Sequence, residues 1–270
     1  MSECLAGKIA IVTGGAQGLG QAIARRLAQE GCATAIADLN GDGAAEAAAT
    51  LRRETDRRVL GLEVDVTREA DVKALFDRVV REFGRVDIVV SNAAILIAEP
   101  IADADAEKWR SVMNVNLFGY FLVTKHACRM MKRQRSGSII NINSKSGRRG
   151  SAANSAYSAT KFGSIGHTQS VALEMAPFNV RCNAVCPGNL LDSPLWTDSE
   201  NGLLVQYLRA GKVPGATTID DVRQAYVDKV PMKRGCSYDD VCNAVVFLAS
   251  DQSTYITGIA LSVTGGQEMG

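Results

Sequence analysis

Tyr157 and Lys161 stand four residues apart in A-Y-S-A-T-K, with only small residues between them. On an α-helix that spacing brings both side chains to one face. A free phenol has a pKa of about 10, too high for a useful base near neutrality. A cation about 4 Å away, at an effective dielectric of about 20, contributes roughly 4 kcal/mol, which is near three pKa units. The pair is therefore expected to bring Tyr157 to about 7, where a phenol can give or take a proton.

A second constellation lies near the start. The stretch T-G-G-A-Q-G-L-G, Thr13 to Gly20, joins an apolar run to a helical pattern. Gly14 permits a tight turn, Gly18 lets backbone approach a pyrophosphate, and Gly20 allows close helix–sheet packing, with Gln17 and Leu19 between them. The exposed N–H groups and the positive helix end suit phosphates. Asp38 follows about twenty residues on, at the end of the next strand-like run, as in dinucleotide-binding loops. Its carboxylate can accept hydrogen bonds from both ribose hydroxyls and repels a 2′-phosphate, while neither Gln17 nor Leu39 offers a compensating cation. The expected cofactor is NAD rather than NADP. Asp65-Val66 is placed to meet the adenine edge, and Ser91-Asn92-Ala93-Ala94 offers small side chains where backbone passes near the adenosine.

Elements must hold these groups in place. Strand-like runs fall at 8–13, 34–38, 59–64, 86–91, 138–142, 180–185 and 259–263, and helical patterns at 18–29, 44–54, 69–83, 106–132, 156–176 and 238–249. Runs that are apolar throughout indicate strands buried on both faces, and helical crossovers then imply a parallel sheet. The expected fold is α/β: a single-domain, doubly wound, Rossmann-like sheet covering residues 1–270. Residues 188–230 break the rhythm with Pro194, Trp196, Gly202, Gly211, Pro214 and Gly215, and are expected to form a substrate lid before the last strand. Their polar groups argue against a lipid substrate.

Composition narrows the class. The 270 residues are 46% hydrophobic and 22% charged, with a formal net charge of +1. No nucleic-acid or membrane partner is expected, and the short basic cluster Lys132, Arg133, Arg135 reads as a solvated helix end. The seven cysteines include no C-x-x-C pair, and the histidines are His126 and His167, so no metal site is expected. With no apolar run of membrane-spanning length, the chain reads as cytoplasmic, with reduced thiols that mostly pack.

With these residues in hand, nearly the whole chain resembles the short-chain dehydrogenase/reductase family. Its T-G-x-x-x-G-x-G pattern is met by Thr13, Gly14, Gly18 and Gly20, and its Asn-Ser-Tyr-Lys set falls on Asn116, Ser144, Tyr157 and Lys161. Pro187-Gly188 matches the family's Pro-Gly beside the nicotinamide. Ala94 departs from the usual glycine of N-N-A-G, which touches only backbone placement there. The resemblance implies Tyr157 as acid/base, Lys161 as the group lowering its pKa and holding the nicotinamide ribose, and Ser144 orienting the substrate oxygen. It also implies that Asn116 anchors a water linking Lys161 to solvent. Hydride transfer itself is cofactor chemistry.

Within the family, I-N-S-K-S-G, C-P-G-N-L-L-D-S-P-L-W, D-K-V-P-M-K-R-G-C and V-T-G-G-Q-E-M resemble the sorbitol-6-phosphate 2-dehydrogenase branch, and also the dehydrogenase half of bifunctional aldolase/dehydrogenases. That implies a sugar alcohol or its phosphate as substrate, with sorbitol 6-phosphate and fructose 6-phosphate as the expected pair. Lys145, Arg148 and Arg149 are candidates to hold the phosphate. Asn154, Asn189 and Asp192 are candidates for the hydroxyls, and Trp196 for an apolar edge. The alternatives are a dehydrogenase for a free polyol, a sugar or another secondary alcohol, and, from a different class, a non-catalytic NAD-binding sensor, which would be expected to lose Tyr157 or Lys161. A homotetramer is expected through the helices 106–132 and 156–176, the second offering Ala159, Gly163, Ser164 and Gly166 to a partner.

Overall fold

The computed structural model describes residues 3–268, so Met269 of the last quoted segment lies outside it. Seven parallel strands form one sheet: β1 (Ile9–Thr13), β2 (Ala33–Asp38), β3 (Val59–Glu63), β4 (Ile88–Ser91), β5 (Gly137–Ile142), β6 (Val180–Pro187) and β7 (Ala260–Val263). Their order is β3-β2-β1-β4-β5-β6-β7. The sheet is the doubly wound, Rossmann-like one expected. β1 pairs with β2 on one side and with β4 on the other, so the loops after β1 and β4 diverge and leave a crevice at the carboxyl ends.

Among the described residues ten α-helices connect the strands: α1 (Gly18–Gln29), α2 (Gly41–Thr55), α3 (Glu69–Phe83), α4 (Ala106–Met113), α5 (Gly119–Gln134), α6 (Ser155–Met175), α7 (Pro194–Thr197), α8 (Leu203–Arg209), α9 (Ile219–Asp228) and α10 (Tyr238–Ala249). The two faces of the sheet bury separate cores. Ile23 and Leu27 of α1, Leu51 of α2 and Val245 of α10 pack on one face. Val72 and Phe76 of α3, Leu122 and Met131 of α5 and Val171 of α6 pack on the other. Burying each large aliphatic side chain contributes about 1.5–3 kcal/mol, so two full faces fix the sheet firmly.

The helix expected over residues 106–132 is present but not uniform. A π turn at Asn114–Phe118 joins α4 to α5 within it. The wider turn shifts the helix register and buries Asn116, as such turns often do at functional sites.

The segment before the last strand folds on itself. Leu191, Trp196, Leu203, Leu204, Tyr207, Val222 and Tyr226 form a small third core, against which Leu96 and Ala98 of the loop after β4 pack. Thr218 and Asp221 close a capping box on α9. The interior of this segment is thus aromatic and aliphatic. The apolar anchors are spread over three short helices and hide among the polar residues between them.

Candidate active site

A cleft of about 610 Å3 opens at the carboxyl ends of the strands, a size ordinary for small-molecule sites. Its dinucleotide side is built by the turn after β1. Gly14 and Gly18 adopt left-handed backbone, φ +62° and +57°, and a Cβ on Gly20 would run into the Gly14 carbonyl. Gln17, which precedes α1, gives it no side-chain cap, leaving the first amides of the helix to the cleft. Gln17, Gly18, Leu19 and Gly20 all line it. Uncapped amides beside a bare backbone turn fit a pyrophosphate.

Asp38 ends β2 at the cleft wall, its carboxylate accepting from the backbone amides of Ala16 and Asn40 at 3.0 Å each. Leu39 beside it is 70% exposed. Asp65, Val66, Asn92, Ala93, Ala94, Pro187 and Gly188 line the same cleft. Thr13 does not reach the main cleft. It is buried, and its hydroxyl accepts from the amides of Asn92 (3.1 Å) and Ala93 (3.2 Å), tying the loop after β4 onto β1.

Ser144, Tyr157 and Lys161 line the same cleft. Ser144 follows β5 and accepts from the Ser146 amide at 3.1 Å. Tyr157 and Lys161 are on α6, one turn apart. Lys161 is buried and donates to the carbonyl oxygen of Ile142 at 2.8 Å; its ammonium lies 5.4 Å from the Tyr157 ring centroid. Burial brings it down to about 8.

The phenol does not behave as the helical spacing predicts. Burial pushes Tyr157 up to about 12, and the Ser144 hydroxyl beside it works in the opposite direction. Desolvation of the anionic phenolate dominates, and the charge of Lys161 does not offset it.

Asn116 sits behind the cleft. Its side-chain amide is held by the backbone of Ile95, accepting at 2.8 Å and donating at 2.8 Å. A second cavity of about 10 Å3 is bordered by Asn116, Lys161, Ser91 and Asn141. The Ser91 hydroxyl and the Asn141 amide nitrogen are buried there without a protein partner.

The expected substrate residues divide. Lys145, Asn154, Asn189 and Trp196 line the cleft. Arg148 does not; the 3-10 turn at Lys145–Gly147 carries it back to donate to the Ala260 carbonyl. Arg149 is exposed outside the cleft, and Asp192 faces solvent, paired with Arg223 at 2.6 Å. Sequence reasoning missed Tyr207 and Tyr226, which line the substrate side; their rings stack 5.6 Å apart. It also missed Gly147, where a Cβ would come within 2.8 Å of the Lys161 carbonyl oxygen, and Asn143, whose amide donates to that oxygen at 3.0 Å. For Tyr207 a signal existed in Leu203, Leu204 and Tyr207 at helical spacing.

Known proteins share this fold. The family model "short chain dehydrogenase" matches residues 8–202. The chain is 43% identical over 265 residues to the sorbitol-6-phosphate 2-dehydrogenase of Escherichia coli strain K12, covering 97% of this chain and 99% of that one. Among solved structures it resembles the sorbitol-6-phosphate 2-dehydrogenase of Erwinia amylovora (43% identity, TM-score 0.91, 97% of this chain and 100% of that one). It also resembles an NAD+-bound xylitol dehydrogenase (33% identity, TM-score 0.90, 97% and 99%). With its sheet, its glycine turn and its match over most of the length, this chain belongs to the short-chain dehydrogenase family and is an alcohol dehydrogenase/ketoreductase acting on CH–OH groups.

Proposed function

We propose that this enzyme is NAD-dependent and interconverts a secondary hydroxyl of a polyol or polyol phosphate with its ketone, sorbitol 6-phosphate and fructose 6-phosphate being the best-fitting pair. The observation that carries the reading is the convergence of Ser144, Tyr157 and Lys161 on one cleft with the glycine turn after β1, Asp38 and Lys145. The similarity to sorbitol-6-phosphate 2-dehydrogenases supports the substrate class. Asp38, with no cation at Gln17 or Leu39, supports NAD.

In the oxidative direction Tyr157 takes the proton of the substrate hydroxyl while Ser144 holds the same oxygen by a hydrogen bond. Bound NAD supplies the acceptor for the hydride that leaves the carbon. The protonated phenol, pushed up to about 12, is already the form needed to donate to a ketone. Oxidation needs the phenol brought down, and both the Lys161 ammonium and the added positive charge of an oxidised dinucleotide act that way. The small cavity shared by Asn116 and Lys161 has room for about one water, with Ser91 and Asn141 as further polar partners, and supports a proton path out.

Residues 188–230 act as a lid: their own small core lets them move as a unit against Leu96 and Ala98. The chain works as one dinucleotide-binding and catalytic domain, cytoplasmic and tetrameric, with Phe118, Phe121 and Phe162 as the apolar face that a partner covers. Of the described residues, no helix is long and apolar enough to cross a membrane.

A second reading, a secondary alcohol with an apolar body, is favoured by Leu96, Leu195, Trp196 and Leu203 on the cleft wall. Comparing kcat/KM for sorbitol 6-phosphate, sorbitol, xylitol and an apolar secondary alcohol with NAD+ separates the two. Highest values for the polyols support the first reading, and preference for the apolar alcohol overturns it.

A further inference from the structure

Three lysines from three separate segments converge on one pair of stacked tyrosines. Lys212, just beyond α8, holds its ammonium 3.8 Å from the ring centroid of Tyr207. Lys229, at the end of α9, lies 4.7 Å from the centroid of Tyr226, and Lys145, next to Ser144, lies 5.7 Å from that same centroid. The two rings are nearly parallel, 15° apart, and both line the substrate side of the cleft together with Lys145. Aromatic faces attract each ammonium but leave the repulsion among the three uncancelled.

Little negative charge answers this cluster. Among the described residues the lysines in ion pairs are Lys73, Lys108 and Lys125, not these three. Glu268 is the acid felt by Lys145, and no acid is felt by Lys212. Asp192 is occupied by Arg223. Burial brings Lys145 and Lys212 down to about 8; Lys229 and Lys145 lower Lys212 further, and Lys229 and Arg149 lower Lys145.

The group is also tied to the reacting end. Asn154 immediately precedes α6, and with its amide turned to satisfy its neighbours its oxygen accepts from the Tyr207 hydroxyl at 3.0 Å and from Lys212 Nζ at 3.2 Å. Lys145 is bonded directly to Ser144 along the chain. Lys145 lines the cleft with Ser144 and Tyr157, and Lys212 and Lys229 reach it through the Tyr207 and Tyr226 rings; cations gathered with so little carboxylate around them match a substrate that carries a secondary hydroxyl and a dianion.

We propose that Lys145, Lys212 and Lys229 seat the phosphate monoester of the substrate, and that Lys212 and Lys229 are specificity-determining residues for phosphorylated over free polyol. This rests on the polyol-phosphate reading above and moves the phosphate from Arg148 and Arg149, which face elsewhere. Ammonium groups act as mobile point charges, so the seat recognises charge rather than a fixed fork of donors.

The experiment is the ratio of kcat/KM for sorbitol 6-phosphate to that for sorbitol, in wild type, K212Q, K229Q and the double variant, with NAD+ saturating. Each single substitution should lower the ratio by about tenfold, and the double variant by more, with the loss in KM for the phosphate ester. Inorganic phosphate should compete with sorbitol 6-phosphate in wild type and lose potency in the variants, because the ester and the free ion share the seat. A wild-type ratio well above one that survives in the double variant overturns the lysine seat and leaves the substrate reading standing. A wild-type ratio near one removes the phosphorylated substrate itself. Lys229 is exposed, so K229Q tests the seat without disturbing the core.

Discussion

Lys161 donates its ammonium to the carbonyl oxygen of Ile142 at 2.8 Å, so the cation of the active site is anchored on the sheet rather than on the tyrosine one turn away. The bond satisfies one of three donors and leaves the others toward the cleft and the small cavity behind it. A lysine held this way is a fixed positive charge inside protein, and its cost and its use both follow from that.

The cost should appear as a pH dependence of stability. Burial lowers Lys161 from 10.5 to about 8. Between those values the unfolded chain keeps a proton that the folded chain has released, so this group's contribution to stability is least favourable below about 8 and rises with pH through the window. K161M removes that dependence. Thermal melts of cofactor-free protein from about pH 7 to about pH 10 should show wild type gaining on the variant as pH rises. A constant difference would mean that the lysine is not held down by burial.

Cofactor choice should turn on the end of β2. Asp38 is fixed by the amides of Ala16 and Asn40, and Leu39 stands exposed next to it. Replacing them together, Asp38→Ser with Leu39→Arg, removes the repulsion of a 2′-phosphate and adds a bidentate partner for it. The ratio of kcat/KM with NADP to that with NAD should rise by about a hundredfold. Wild type that already prefers NADP would contradict the assignment.

Gly147 keeps the loop after β5 in contact with α6. A methyl group there would press on the Lys161 carbonyl oxygen and on the Asn143 side chain that supports it. G147A should lose about 1–3 kcal/mol of stability in denaturant melts, with kcat reduced more than cofactor binding. An unaffected variant would show that the loop has room to give.

Phe118, Phe121 and Phe162 are 47%, 40% and 47% exposed, and the neighbouring Ala159, Gly163 and Gly166 are exposed too, whereas Ser164 is buried under Asn143. Ser164 is therefore not part of a partner face. Light scattering should report a tetramer for wild type and smaller species for F121D combined with F162D. A monomeric wild type would remove the assembly from the account.

How far the sequence reached depended on the kind of signal. Helices 18–29, 69–83 and 238–249 coincide with α1, α3 and α10 because each has a strong apolar stripe and a clear stop. The glycine turn and the place of Asp38 were legible because backbone conformation and strand end are set locally. The π turn was invisible, since one extra residue in a helical repeat leaves the pattern unchanged over so short a span. Arg148 and Arg149 were misplaced because a 3-10 turn rotates them away from Lys145, and Asp192 because a nearby arginine claims it. Lys212 and Lys229 could not be read at all, since only the folding of α8 against α9 brings them to Lys145. The depressed phenol failed for a related reason: spacing counts the charge but not the burial.

Y157F tests most directly whether Tyr157 moves the proton. Turnover of the best polyol substrate should fall by about 10²–10⁴-fold while NADH binding, followed by fluorescence titration, stays unchanged. Near-wild-type turnover by the phenylalanine enzyme would contradict it.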